Sequence, residues 1–170
     1  VAEHDEQDEV DGVVAAWQRE RPDLDVTPMQ VLSRISRLAW HLDRERAGAF
    51  SRHDLEYWEF DVLAALRRAG TPYHLTPGQL VKDTMVTSGT MTNRVDRLTA
   101  REFVDREEHP EDRRGILVRL TAAGKAAVDA TMADLLDAER TLLVSLDPAE
   151  QDRLAGLLRS LLLSYRDSVQ

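Results

Sequence analysis

The sequence predicts a mainly helical fold with one small β-ribbon: a winged helix-turn-helix. Three observations predict it. Apolar residues recur at helical spacing along most of the chain, with abundant Leu and Ala and few glycines or aromatics. Between Thr76 and Leu98, two such segments are joined by a short polar turn, and the second has a small, polar outer face. After them the β-formers Phe103-Val104 and Ile116-Leu117-Val118 flank the polar turn Pro110-Glu111-Asp112-Arg113-Arg114-Gly115. The plainer alternative is a helical domain with an incidental hairpin.

Taken in order, residues from about 6 to 20 form the first expected helix, with Val10, Val13, Val14 and Trp17 on one side, broken by Arg21-Pro22-Asp23. Thr27-Pro28-Met29-Gln30 predicts a capping box with proline at the first helical position. The helix it starts carries Val31, Ile35, Leu38 and Leu42 at heptad-like spacing, beside Trp40 and His41, a stripe suited to a core or a dimer interface. If that helix packs on a twofold mate, His41 titrates near neutral pH inside the interface; otherwise it titrates in solvent without consequence. The next helix is expected from near Asp54, carrying Leu55, Trp58, Phe60, Val62, Leu63 and Leu66, and stopped by Gly70 and Pro72. Asp61 has apolar neighbours, so its carboxylate is either exposed on the polar face or pinned against an arginine.

The helix-turn-helix opens with Thr76 as N-cap, Pro77 preset for the first turn and Gln79 reaching back. Leu80 and Val81 form the apolar side, and Val86 closes the helix. Thr87-Ser88-Gly89-Thr90 begins the second helix, in which Met91, Val95 and Leu98 face a core. Ser88, Thr92, Asn93 and Asp96 face outward, with Arg94 and Arg97 on the flanks. Beyond the ribbon, Thr121 caps a long helix to about Leu143, with Val128, Met132, Leu135, Leu136 and Leu142 as its stripe. Asp147-Pro148-Ala149-Glu150 is a further capping box, and the last helix shows Leu154, Leu157, Leu158, Leu161, Leu162 and Tyr165. These leucines exceed what one small domain needs, and a monomer would leave an apolar patch in water. The expected organisation is therefore N-terminal helices in residues 1–53, a winged helix-turn-helix in 54–121 and dimerisation helices in 122–170.

At 42% hydrophobic residues the chain can bury a core. It has no cysteine, which excludes disulfides, thiolate catalysis and thiolate-bound zinc. No apolar run is long enough to span a bilayer, and the acidic N-terminus is unlike a signal peptide, so a cytoplasmic location is expected. No GxGxxG, P-loop, HExxH or Ser/His/Asp spacing occurs, and the histidines are scattered; no enzyme, cofactor or metal site is expected. The net charge is −9. Acidic residues crowd the N-terminus and the C-terminal helices, whereas Arg94, Arg97, Arg101, Arg106, Arg113, Arg114 and Arg119 gather on the helix-turn-helix and ribbon. The acidic residues interleaved there predict modest non-specific affinity for nucleic acid and a steep loss of binding with salt.

Asp112-Arg113-Arg114, a short strand and then Leu120-Thr121-Ala122-Ala123-Gly124-Lys125 resemble the wing and following helix of the MarR family of transcription regulators. The segment from Ser88 to Leu98 is similar to the family's recognition helix, and the resemblance covers nearly the whole chain. Two residues depart from it. Glu102 stands where the family usually has a glycine, so the turn after the recognition helix is strained or differently shaped. His109 stands where an acidic or amide residue usually precedes Pro110, which bears on the local wing geometry.

A finer resemblance rests on Trp17 in the extra N-terminal helix, Asp61, Arg94 and Arg106, a set similar to that of the family's urate-responsive (UrtR/PecS-like) subgroup. It implies a small anionic ligand. Urate is a planar monoanion at neutral pH, so the Trp17 indole suits its face and Arg94 its edge. The resemblance further implies that Asp61 and Arg106 form a second half of the switch, their pairing altered by the bound anion. The alternative is that Arg94 and Arg106 simply bind phosphates. The expected function is a homodimeric repressor on a pseudo-palindromic operator in double-stranded DNA, released by that ligand. Ser88, Thr90, Thr92 and Asn93 would lie near base edges, with Arg97 beside them. Arg113 and Arg114, one of them oriented by Asp112, would reach the minor groove. The rival expectations are a regulator sensing another compact anion, such as citrate or aconitate, and a winged-helix module that binds protein.

Overall fold

The computed structural model describes residues 7–110 and 115–168, with side chains through Tyr165. The described elements are α1 (Glu9–Glu20), α2 (Thr27–Arg52), α3 (Tyr57–Arg68), β1 (His74–Leu75), α4 (Pro77–Thr84), α5 (Ser88–Ala100), β2 (Val104–Glu108), β3 (Ile116–Leu120), α6 (Ala122–Leu142) and α7 (Pro148–Ser168). Two compact units result, Val1–Glu45 and Arg46–Gln170, and the boundary falls inside α2.

In the first unit, Asp8 caps α1 and exchanges hydrogen bonds with Asp11. Val10 and Val14 are buried against Val26 and Met29, and Arg34 of α2 binds Asp8 and Asp11 at 2.8 Å each. The valines therefore anchor α1. Trp17, 47% exposed, does not. The expected Thr27–Gln30 capping box does not form. The Thr27 N–H donates to the Asp25 carboxylate (3.0 Å), and the Gln30 side chain is engaged instead by Arg34 (2.7 Å).

The second unit holds the main core. Phe60, Val62, Leu63 and Leu66 of α3 are buried and pack against α4, α5, α6 and β3. The helix starts at Tyr57, three residues after the expected Asp54. Asp54 takes the left-handed conformation (φ 52°), which lets the Leu55 N–H return to the Phe50 carbonyl at 3.0 Å and buries the Leu55 side chain. Gly70 (φ 76°) follows the end of α3, and the Thr71–Pro72 peptide is cis. The sheet has three strands where a two-stranded ribbon was expected: its antiparallel order is β1-β3-β2, with His74 opposite Arg119 and Arg106 opposite Val118. At two residues, β1 is too short to show an alternating pattern. The His109 N–H donates to Gly115 O (2.9 Å), so pairing continues past Glu108 toward the wing tip.

Glu102 adopts φ 59°, the left-handed turn that a glycine would accept freely, and the Phe103 N–H then closes α5 on the Leu98 carbonyl (3.0 Å). Gly124 answers a different need: a Cβ there would stand 2.1 Å from the Phe103 carbonyl oxygen. Thr121 caps α6 as expected, but the apolar stripe of that helix is split. Val128 and Leu135 are buried with Thr131, whereas Met132 and Leu136 face solvent. The Asp147–Glu150 box forms at α7, along which Leu157, Leu161, Leu162 and Tyr165 are exposed. Among the described residues, no helix is long and apolar enough to cross a membrane.

Candidate nucleic-acid interface and anion site

The helix-turn-helix is local chemistry carried into place by the core. Thr76 accepts from the Gln79 N–H (3.2 Å) while the Gln79 side chain accepts from the Thr76 N–H (2.8 Å), the expected reciprocal cap. Met85 (φ 52°) turns the chain out of α4, and Thr87 caps α5. Met91, Val95 and Leu98 are buried, which fixes the rotation of α5 and leaves Ser88, Thr90, Thr92 and Asn93 exposed. The Thr90 hydroxyl bonds to that of Thr87 (2.9 Å), and the Thr92 hydroxyl donates to Ser88 O (3.1 Å). Asn93 is left with its amide free of hydrogen bonds to described residues, a group that can both donate and accept.

The arginines gathered here are engaged within the chain. Arg97 donates to Glu56 (2.7 Å) and lies over the Trp58 ring at 4.6 Å. Arg101 binds Glu59 (2.7 Å) and Asp54 (3.0 Å). Arg106 pairs with Asp96, and Arg119 with Asp105 and Glu107. The acidic residues interleaved with these arginines in the sequence are their partners: each described arginine of the group except Arg94 sits against a carboxylate. Asp112, Arg113 and Arg114 lie outside the described residues.

Of the four expected ligand residues, Asp61, Arg94 and Arg106 lie in the second unit and Trp17 in the first. Asp61 on α3 fits neither of the two expectations for it. It is half-buried and has no hydrogen bond or ion pair to a described residue. Burial pushes its pKa above the ordinary carboxylate value, and the charges of Arg68 and Arg94 offset part of that rise. Arg94 lies over the Trp58 ring at 5.6 Å with no carboxylate in ion-pair distance among the described residues. The implied Asp61–Arg106 pairing is absent, because Asp96, ten residues away and facing the same strand, takes the Arg106 guanidinium. In the sequence Trp58 reads only as part of an apolar stripe and Glu56 carries no signal. Their partners are some 40 residues distant in the chain, and no local spacing announces such contacts.

The fold, the capped α4–α5 pair and the ribbon recur in known proteins. A MarR family model matches residues 53–115. The HTH-type transcriptional regulator PecS of Dickeya dadantii is 38% identical over 150 residues, covering 88% of this chain and 90% of that protein. A mutant MarR from E.coli complexed with operator DNA superposes with a TM-score of 0.66 at 30% identity, covering 82% of this chain and 99% of that one. Bordetella bronchiseptica BpsR, whose DNA binding is regulated by 6-hydroxynicotinic acid, gives 0.57 at 27% identity, over 75% of this chain and 98% of that one. With a polar-faced helix held at the rim of a winged helix and a relative matched along nearly its full length, this chain belongs to the MarR family of transcription regulators.

Proposed function

We propose that the chain is a homodimeric repressor that binds a pseudo-palindromic DNA operator through α5 and is released by a small planar anion, urate in first place. The observation that carries the ligand class is Arg94: a cation on the DNA-reading helix itself, without a carboxylate partner among the described residues, close enough to the half-buried Asp61 to perturb it. An anion bound at Arg94 would place a second negative charge near a carboxylate already disfavoured by desolvation, so binding and the position of α5 are linked electrostatically. Trp17 supplies the indole suited to the flat face of such a ligand. Arg106 acts through Asp96 on α5 in place of Asp61. For the anion to release DNA, it must bind the DNA-incompetent arrangement more tightly. The family relationship supports the operator. The aromatic acid that regulates BpsR supports a small anionic effector.

In the operator complex, Ser88, Thr90, Thr92 and Asn93 meet base edges, Asn93 suiting adenine, and Arg97 meets phosphate. Arg113 and Arg114, with Asp112, serve the minor groove. Dimerisation uses helices of residues 1–53 and 122–170, and twofold symmetry sets the half-sites about one helical turn apart. The test is a gel shift on the upstream intergenic DNA, titrated with urate and in parallel with citrate. Release by urate, lost in Arg94→Ala and weakened in Trp17→Ala, is expected. Release by citrate alone would replace the ligand and keep the regulator; absence of specific binding at low salt would favour a protein-binding module.

A further inference from the structure

Arg94 and Arg97 of α5 and Arg101 at its C-cap stand at positions i, i+3 and i+7, a single stripe, and all three meet the first turn of α3 or the residues leading into it. Arg94 and Arg97 share the Trp58 indole, at 5.6 and 4.6 Å from the ring centroid. The Trp58 Nε1–H donates to one Glu56 oxygen (2.8 Å) and Arg97 Nη2 donates to the other (2.7 Å). Arg101 closes the row on buried Glu59. Glu56, Trp58 and Arg97 thus form a closed ring of contacts: indole under guanidinium, with one carboxylate holding both.

We propose that Trp58, together with Glu56, is a positioning residue for DNA recognition: it holds the Arg97 guanidinium ready for a backbone phosphate. Two observations point this way. Arg97 spends one nitrogen on Glu56 and keeps 53% of its side chain exposed, so donors remain for a further acceptor. It also lies one turn beyond Asn93, on the same exposed face of α5. A free arginine loses several rotors on meeting phosphate, whereas one already held over an indole loses fewer. The inference rests on α5 being the DNA-reading helix, as proposed above.

The experiment measures the affinity of the full chain for a duplex of its upstream intergenic DNA as a function of salt, in wild type, Trp58→Ala, Trp58→Phe, Arg97→Ala and the Trp58→Ala/Arg97→Ala double variant, each checked for fold by circular dichroism. Trp58→Ala is expected to bind roughly tenfold more weakly and to lower the log–log salt slope by about one, the signature of one lost phosphate contact. Trp58→Phe keeps an aromatic face and should recover most of the slope. Removing Arg97 from Trp58→Ala should cost little more. A second readout needs no DNA: the Arg97 Nε–H resonance is expected to be shifted by the ring in wild type and to lose that ring shift in Trp58→Ala. An unchanged salt slope in Trp58→Ala, or a full additive loss in the double variant, overturns the inference while leaving the operator-binding function standing. A wild-type chain that binds no DNA overturns that function first.

Discussion

Two single residues carry costs that substitution should remove. Glu102 holds a left-handed conformation without glycine's freedom, at a cost of about 1 kcal/mol. It is exposed, so Glu102→Gly loses no packing. Thermal denaturation should show the variant to be the more stable, although glycine's greater entropy in the unfolded chain offsets part of the gain. Asp61 is the second. Its pKa is raised in the folded chain, chiefly by desolvation, so the folded state holds the proton more tightly than the unfolded state does. Stability from this group therefore falls as pH climbs through the carboxylate range. Asp61→Asn should melt higher than wild type at neutral pH, with the advantage fading as the pH drops below that range. An advantage independent of pH would assign the effect to packing. A carboxylate half-buried near cations yet paired with none among the described residues adds little to stability, which accords with the ligand role proposed for it.

At the scale of elements, local signals and long-range contacts parted company. The caps at Thr76, Thr121 and Asp147 were legible because each is a matter of three or four neighbouring residues. The inward face of α5 was legible from helical periodicity alone. The box at Thr27 was not real, since Gln30 found a better partner in Arg34. The bond between α3 and α5 had no sequence signature at all. Its central pair, Glu59–Arg101, places a carboxylate with 2% of its side chain exposed against a guanidinium at 2.7 Å. Removing the arginine leaves the buried carboxylate uncompensated, so Arg101→Ala should cost roughly 3 kcal/mol in urea denaturation. The neutral pair Glu59→Gln with Arg101→Met should recover much of that loss. Recovery distinguishes a stranded charge from lost packing.

For the whole molecule, the charge balance and the apolar surface bear on assembly and on DNA. The net charge of −9 does not describe the winged helix, but neither does a count of its arginines. Arg97, Arg101, Arg106 and Arg119 are all met by carboxylates of the same chain. Salt should therefore weaken DNA binding less steeply than seven open cations would. The exposed leucines of α7 argue for a covered face, each worth about 2 kcal/mol if fully buried. Light scattering should find twice the chain mass for wild type. The double variant Leu161→Glu/Leu162→Glu, changing residues that touch no core here, should run as a monomer with unchanged helix content. A wild-type monomer at micromolar concentration would remove the proposed dimer.

Periodicity and local capping and turn chemistry were enough to determine the helices, the capped helix-turn-helix and the ribbon, because each rests on neighbours within a few residues along the chain; the family came from the resemblance of the motifs in residues 88–98 and 112–125. The third strand, the split stripe of α6, the exchange of Arg106 from Asp61 to Asp96 and the Trp58 ledge belong to the folded chain alone. Each is set by which groups the fold brings together and which it buries, and no one-dimensional pattern records either.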